Sequence, residues 1–411
     1  MRPPFFVTIL FAFLIAGIAG CGSSGASSSG NSADASASGH DGGSPEASAG
    51  DSEGGSPEAS MPEAATPEAS TPEASTEAGV PKGPPITAPD RTWTWIPFPD
   101  AFCGNGAATG IGVNLASGSS RVVIYLEGGG ACWSDLTCFT LMSASYVTTG
   151  YSASDFATES TDPSYLAQAG GFFDRTAASN PFKDDSWVYV PYCTGDLHAG
   201  NHVATYASGT VHHVGFANMS AYLARLVPTF AGVQRVILAG SSAGGYGATY
   251  DWWQTQQAFG ATRVDLLDDS GTWMPPDIAA DGMGESTTRA QWNLADTLPP
   301  GCTGCATRLD ALYGWFASNG ASHRGALLSY VQDSTLPSFW AITTAQFTQG
   351  LQEDLSTYFA PAVPASPLRS FTANTSGHVL WFDPTLTVSG VTLQQFVTQM
   401  VNDDPSWTSV Q

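Results

Sequence analysis

The chain is poor in positive charge. Lysine and arginine together number 13 against 36 aspartates and glutamates, a formal net charge of −23 over 411 residues. So few cations make it a poor partner for nucleic acid, whose affinity for proteins rests on neutralising phosphates. The same balance disfavours bare polyanions such as polygalacturonate. Long apolar runs are also scarce. "FFVTILFAFLIAGIAG", Phe5–Gly20, is the exception, and it is too short and too close to the start to favour a spanning helix of the mature protein. From Gly22 to about Pro85 large apolar side chains are almost missing. "SPEAS" occurs at Ser44 and Ser56, and "TPEAS" at Thr66 and Thr71. Such a stretch cannot bury enough apolar surface to offset chain entropy, and it reads as a flexible acidic stalk.

What is present begins with a secretion address. Arg2 supplies the positive charge, the apolar run follows, and "IAGC" closes it at Cys21. Small residues ahead of a cysteine resemble the bacterial lipoprotein signal, in which Cys21 becomes the lipidated first residue. The expected organisation is a lipoprotein signal peptide over residues 1–20, the stalk over 21–87 and one folded domain over 88–411, held at a membrane outside the cytoplasm. Beyond Cys21 there are six cysteines, an even number that favours disulfides in an exported chain. Cys132 with Cys138 and Cys302 with Cys305 can close small loops, which leaves Cys103 for Cys193. Zinc is the rival for "CTGC" at Cys302–Cys305, but no second close Cys or His pair accompanies it, so no metal and no cofactor are expected.

Within the folded part, short apolar runs alternate with helical patterns. "SSRVVIYLEGG", "SWVYVPYC", "VQRVILAG", "RVDLLDDSG", "GALLSYVQD" and "LRSFTAN" read as strands. "FANMSAYLARLVPTF", "ATYDWWQTQQAF", "TRLDALYGWFAS" and "TAQFTQGLQEDLSTYFA" read as helices. This alternation predicts an α/β fold with a mostly parallel sheet covered on both faces, whose sites gather at the carboxyl ends of the strands.

Gly240-Ser241-Ser242-Ala243-Gly244 fits G-x-S-x-G between a strand and a helix, with Ser242 at the centre. A nucleophile on so sharp a turn needs small neighbours two residues to either side. Ser242 has glycines there, whereas Ser241 has Ala239 and Ala243. A serine hydroxyl also needs a base, and only His323 and His378 follow it. His378 sits in a glycine-flanked loop after the last strand. His323 sits in a polar loop at the wrong end of the sheet. An orienting acid is expected at a strand end between Ser242 and His378. Asp333 fits, Asp268 and Asp269 compete, and Asp310 reads as a solvated helix face. For an oxyanion, Gly128, Gly129 and Gly130 let backbone N–H groups come close, and Ala243 supplies the N–H after the nucleophile.

Taken together, "LEGGGACW", "YVPYCTGD", "GSSAGGYGA", "DDSG", the strand ending in Asp333 and "SGHVLW" resemble the pectin acetylesterase/Notum family of serine hydrolases over roughly Cys103 to Trp381. The resemblance implies an α/β-hydrolase fold and metal-free carboxylester hydrolysis. It implies Ser242 as nucleophile, Asp333 as acid and His378 as base, with oxyanion donors at Gly129, Gly130 and Ala243. Relatives usually carry a tryptophan directly after the glycine run, where this chain has Gly130 and Ala131. The expected substrate is an O-acetylated glycan or a short acyl ester. The alternatives are a thioesterase, lipase or peptidase with the same residues, or a non-catalytic glycan-binding lipoprotein stacking sugars on Trp133, Trp252, Trp253 and Trp273.

Overall fold

The computed structural model describes residues 83–278, 283, 285–320, 322–360 and 366–411. The signal segment, Cys21 and nearly all of the stalk lie outside the described residues. The chain is already packed on the domain at Gly83, whose N–H donates to the Ala224 carbonyl at 2.8 Å. Ile86 is buried, and its N–H donates to Thr229 Oγ1 at 2.7 Å. No helix among the described residues is long and apolar enough to cross a membrane.

Eight strands form the central sheet: β1 (Thr94–Phe102), β2 (Ala108–Asn114), β3 (Arg121–Leu126), β4 (Ser186–Val190), β5 (Arg235–Ser241), β6 (Arg263–Asp269), β7 (Gly325–Asp333) and β8 (Leu368–Gly377). Their spatial order is β1-β2-β4-β3-β5-β6-β7-β8. β1 and β2 are antiparallel and β2 runs antiparallel to β4; every other pairing is parallel. The inner strands are apolar on both faces because both are covered. Val122, Ile124 and Leu126 of β3 join one core cluster with Val236 and Leu238 of β5, while Val123 and Tyr125 join the other with Ile237 and Ala239.

The first face is covered by α2 (Gly215–Thr229), α3 (Ala243–Phe259), α4 (Ala311–Asn319) and α5 (Thr344–Asp354). The second is covered by α1 (Ala153–Glu159) and α6 (Leu393–Val401). In α6, Leu393, Phe396, Val397 and Met400 recur at helical spacing and are fully buried. Thr392 caps that helix by accepting from Gln395 N–H at 3.1 Å, a bond that satisfies one of the orphan donors of the first turn.

All six strands and the four helical segments expected from the sequence are present. The long segment starting at Thr344 ends as an α-helix at Asp354 and continues as a π-turn, Leu355–Phe359. The antiparallel pair β1–β2 carries no readable strand pattern, because Pro97 and Pro99 interrupt one strand and Gly110 and Gly112 the other. Proline is tolerated in β1 because an edge strand leaves some N–H positions unpaired.

Two expectations are corrected here. Asp310 is not a solvated helix face. It is fully buried, ion-paired with Arg308 and within 3.2 Å of the Tyr358 hydroxyl. Trp252 and Trp273 are not sugar platforms, since both are buried. Trp252 packs edge-on against Phe316 and donates Nε1–H to the Val264 carbonyl at 2.8 Å. The three disulfides pair as the loop sizes suggested: Cys103–Cys193, Cys132–Cys138 and Cys302–Cys305.

Candidate active site

The carboxyl ends of β3, β5, β6, β7 and β8 converge on one place. β5 ends at Ser241, and α3 begins two residues later at Ala243, so Ser242 alone makes the turn. Its backbone is at φ 56°, ψ −120°, a conformation a non-glycine residue occupies only at a cost of about 1–3 kcal/mol. The flanking glycines make the turn possible. A Cβ on Gly240 would strike the Gly244 carbonyl oxygen, and one on Gly244 would strike that of Leu126. The turn is tied down from β6, where the Asp269 carbonyl accepts the Ser242 N–H at 2.7 Å.

β7 and β8 run parallel with Asp333 opposite Gly377, which sets His378 beside Asp333 although they are 45 residues apart. His378 Nδ1 lies 2.8 Å from Asp333 Oδ2, and His378 Nε2 lies 2.9 Å from Ser242 Oγ. Asp333 is fully buried, and its other oxygen, Oδ1, accepts from Thr335 N–H at 2.8 Å and Leu336 N–H at 2.7 Å. Those bonds hold Oδ2 toward the imidazole. Such a chain can move a proton from a hydroxyl to an imidazole held in one tautomer by a carboxylate.

The other candidates have different places. Ser241 is buried and donates its hydroxyl to Asp269 Oδ2 at 2.8 Å. Asp269 is buried too and does not touch His378 through its carboxylate. Its oxygens accept the N–H groups of Leu380 at 2.9 Å and Trp381 at 3.0 Å, and burial raises its pKa. It therefore holds both the serine turn and the loop that carries His378, a role that sequence reasoning missed. Asp268 binds Thr249, Tyr313 and the Gly271 N–H, and burial pushes it up to about 7. His323 lies at the opposite end of the sheet, with Nδ1 2.7 Å from the Val264 carbonyl near the start of β6.

The glycine loop leaves β3 alongside the serine. A Cβ on Gly128 would come within 3.0 Å of Ser242 Cβ. Gly129 and Gly130 have φ of 156° and 80°. The loop is pinned to the Ser143–Ser145 segment by Ala131 N–H donating to the Ser143 carbonyl at 3.2 Å and Ser145 N–H donating to the Gly129 carbonyl at 2.8 Å. Neither bond uses the N–H of Gly129 or Gly130. As the first residue of α3, Ala243 has no helical acceptor for its own N–H. Phe339 lies against this loop, and its ring edge would be 3.2 Å from a Cβ on Gly130.

Behind Phe339, Trp340 donates Nε1–H to the Tyr246 hydroxyl at 2.9 Å. Trp340, Trp273 and Trp292, with Leu197, Met283, Thr288 and Leu309, enclose an apolar cavity of only about 10 Å³. A larger open cleft of about 350 Å³, lined by Trp93, Gln168, Phe173 and Arg175, includes none of these residues.

Comparison with known proteins agrees with this architecture. Among solved structures, the Wnt deacylase Notum from Drosophila superposes with a TM-score of 0.56 at 16% sequence identity, covering 78% of this chain and 96% of that one. Palmitoleoyl-protein carboxylesterase notum2 of Xenopus laevis is 31% identical over 147 residues, 35% of this chain and 28% of the relative. Palmitoleoyl-protein carboxylesterase NOTUM of Schmidtea mediterranea is 31% identical over 132 residues, 31% of this chain and 23% of the relative. The matched stretch thus spans about a quarter of each curated relative. The pectinacetylesterase family model matches residues 96–303, which contain the glycine loop and Ser242, while Asp333 and His378 lie beyond it. With just over half of its length matched by that model, on an eight-stranded sheet of the α/β-hydrolase type, the chain belongs to the pectinacetylesterase family.

Proposed function

We propose that the protein is a lipid-anchored serine carboxylesterase working outside the cytoplasm on O-acetylated glycans or short acyl esters. The observation that carries this reading is the hydrogen-bonded chain from Ser242 through His378 to Asp333, beside a glycine loop whose bonds to the Ser143–Ser145 segment leave the N–H groups of Gly129 and Gly130 unused. In the proposed mechanism Ser242 Oγ attacks the ester carbonyl as His378 Nε2 takes its proton. Asp333 holds the imidazole and stabilises the imidazolium. The N–H groups of Gly129, Gly130 and Ala243 receive the oxyanion. His378 then returns the proton to the departing alkoxide, and water repeats the sequence on the acyl-enzyme.

The acyl group is proposed to be short. The relatives named above are palmitoleoyl-protein carboxylesterases, which act on a long chain. The acyl site is taken to be the cavity that Trp340 shares with Trp273 and Trp292, which has room for about one water-sized group. On a series of p-nitrophenyl esters from acetyl to octanoyl, kcat/KM is expected to peak at acetyl or propionyl and to fall at least tenfold by octanoyl. Trp340→Ala is expected to move that optimum to longer chains. A wild-type optimum at octanoyl would favour the long-chain reading. The low count of cations supports a neutral acetylated glycan over acetylated polygalacturonate as the natural leaving group.

Anchoring is proposed at Cys21, and the three disulfides fit an oxidising compartment. Cys21→Ser is expected to shift the protein from the membrane fraction to a soluble or unprocessed form. Unchanged fractionation, together with a native N-terminus that carries no lipid by mass spectrometry, would refute the anchor and leave the esterase assignment untouched.

A further inference from the structure

The segment "YVPYCTGDLHAG" contributes no reacting group, yet it is built with unusual tension around His198. Leu197 and His198 are consecutive non-glycine residues at positive φ, 56° and 60°. Asp196, fully buried, holds them there. Its carboxylate accepts from the Thr194 hydroxyl at 2.6 Å and from the N–H groups of His198, Gly200 and Gly215 at 3.1, 3.2 and 2.7 Å. The Leu197 N–H donates to the Tyr192 hydroxyl at 2.9 Å, and the His198 ring lies on that of Tyr192, with centroids 4.8 Å apart.

All this bracing delivers one atom. His198 Nε2 lies 2.9 Å from the carbonyl oxygen of Glu127. A carbonyl only accepts, so Nε2 carries the hydrogen. Burial keeps the ring neutral, with a pKa of about 4.

The position of that carbonyl gives the bond its meaning. Glu127 is the last residue before Gly128, so its carbonyl is the root of the glycine loop. On its other side it lies against the first turn of α3, since a Cβ on Gly244 would be 2.8 Å from it. The His198 ring touches α3 as well: a Cβ on Gly247 would fall 2.8 Å from His198 Cβ and 2.9 Å from Cδ2. One imidazole is therefore wedged between the two elements that carry the N–H groups of Gly129 and Gly130 on one side and of Ala243 on the other. The Glu127 carboxylate steadies the same junction by accepting the Tyr192 N–H at 2.9 Å.

We propose that His198 is a positioning residue that sets the spacing of the oxyanion donors by clamping the Glu127 carbonyl against α3. The proposal rests on the esterase reading above. Donors of this kind act through preorganised geometry at the oxyanion, more than through contacts with the ground state. Loss of the clamp should therefore lower kcat and leave KM nearly unchanged.

The test uses His198→Leu, which fills the space without a donor, and His198→Gln, whose amide nitrogen reaches as far along the side chain. Hydrolysis of p-nitrophenyl acetate is measured per active site, with sites counted by fluorophosphonate labelling. For His198→Leu, kcat is expected to fall on the order of 10²-fold with KM within about threefold, and His198→Gln is expected to recover most of that loss. A folded His198→Leu with wild-type kcat per site overturns the proposal, as does a folded His198→Gln no better than the leucine variant. Should the leucine variant fail to fold, His198→Asn, whose shorter amide cannot reach Glu127, takes its place with the same expectation, and wild-type kcat per site in that variant overturns the proposal. A wild type that neither hydrolyses esters nor reacts with the probe overturns the esterase reading itself.

Discussion

Ser242→Ala is expected to abolish ester hydrolysis and fluorophosphonate labelling, with kcat down by ~10⁴-fold or more. The residual rate comes from whatever the oxyanion donors and bound water can do unaided. The fold should survive, because Ser242 contributes only its backbone to the turn: its N–H is held by the Asp269 carbonyl, and alanine keeps that bond. Ser241→Ala, one residue away, is the control. Its hydroxyl is buried against Asp269 Oδ2 and faces no substrate, so its loss should cost stability, about 1 kcal/mol for a buried hydrogen bond, and leave most of the activity. The pair separates two neighbouring serines that composition cannot distinguish. Labelling that maps to Ser241 by peptide sequencing would refute the assignment.

Asp333→Asn is expected to lower kcat by ~10⁴-fold with little change in fold. The asparagine carbonyl can keep accepting from Thr335 and Leu336, as Oδ1 does now. Its amide then faces His378 Nδ1 and donates to it. That forces the hydrogen onto Nε2, where it points at the Ser242 oxygen, and the imidazole can no longer take the serine proton. Asp269→Asn offers the contrast. Asp269 receives two N–H donors from the His378 loop and the Ser241 hydroxyl, so an amide there meets donors and should lower the melting temperature first. The measurement is kcat beside Tm for both variants. Near-wild-type turnover in Asp333→Asn with a large loss of turnover in a well-folded Asp269→Asn would move the acid to the end of β6.

Much of this was legible because several steps depend on local chemistry. β3, β5, β6 and β7 announce themselves as apolar runs because both of their faces are buried. The G-x-S-x-G turn is readable because it needs small residues at fixed spacing. β1 and β2 were not legible: their prolines and glycines erase the local signal, and they exist because the edge of the sheet needs cover. Asp310 misled for the same reason. On its own helix it looks solvated, and only the packing of Arg308 and Tyr358 against it shows where it lies.

By itself the sequence determined the alternation of strands and helices and the three residues worth testing, since each follows from periodicity, chain order or motif; among the fifteen possible pairings of six cysteines, the structure made the choice. Tertiary structure alone decided how those elements and residues meet. The parallel register of β7 and β8 sets Asp333 opposite Gly377 and so beside His378. The end of β6 turns Asp269 into the anchor of two loops. A histidine 44 residues before the serine is carried back beneath the glycine loop. Contacts of this kind depend on which strands become neighbours, and that choice is made by burying the whole sheet at once, a property that no single stretch of the chain possesses.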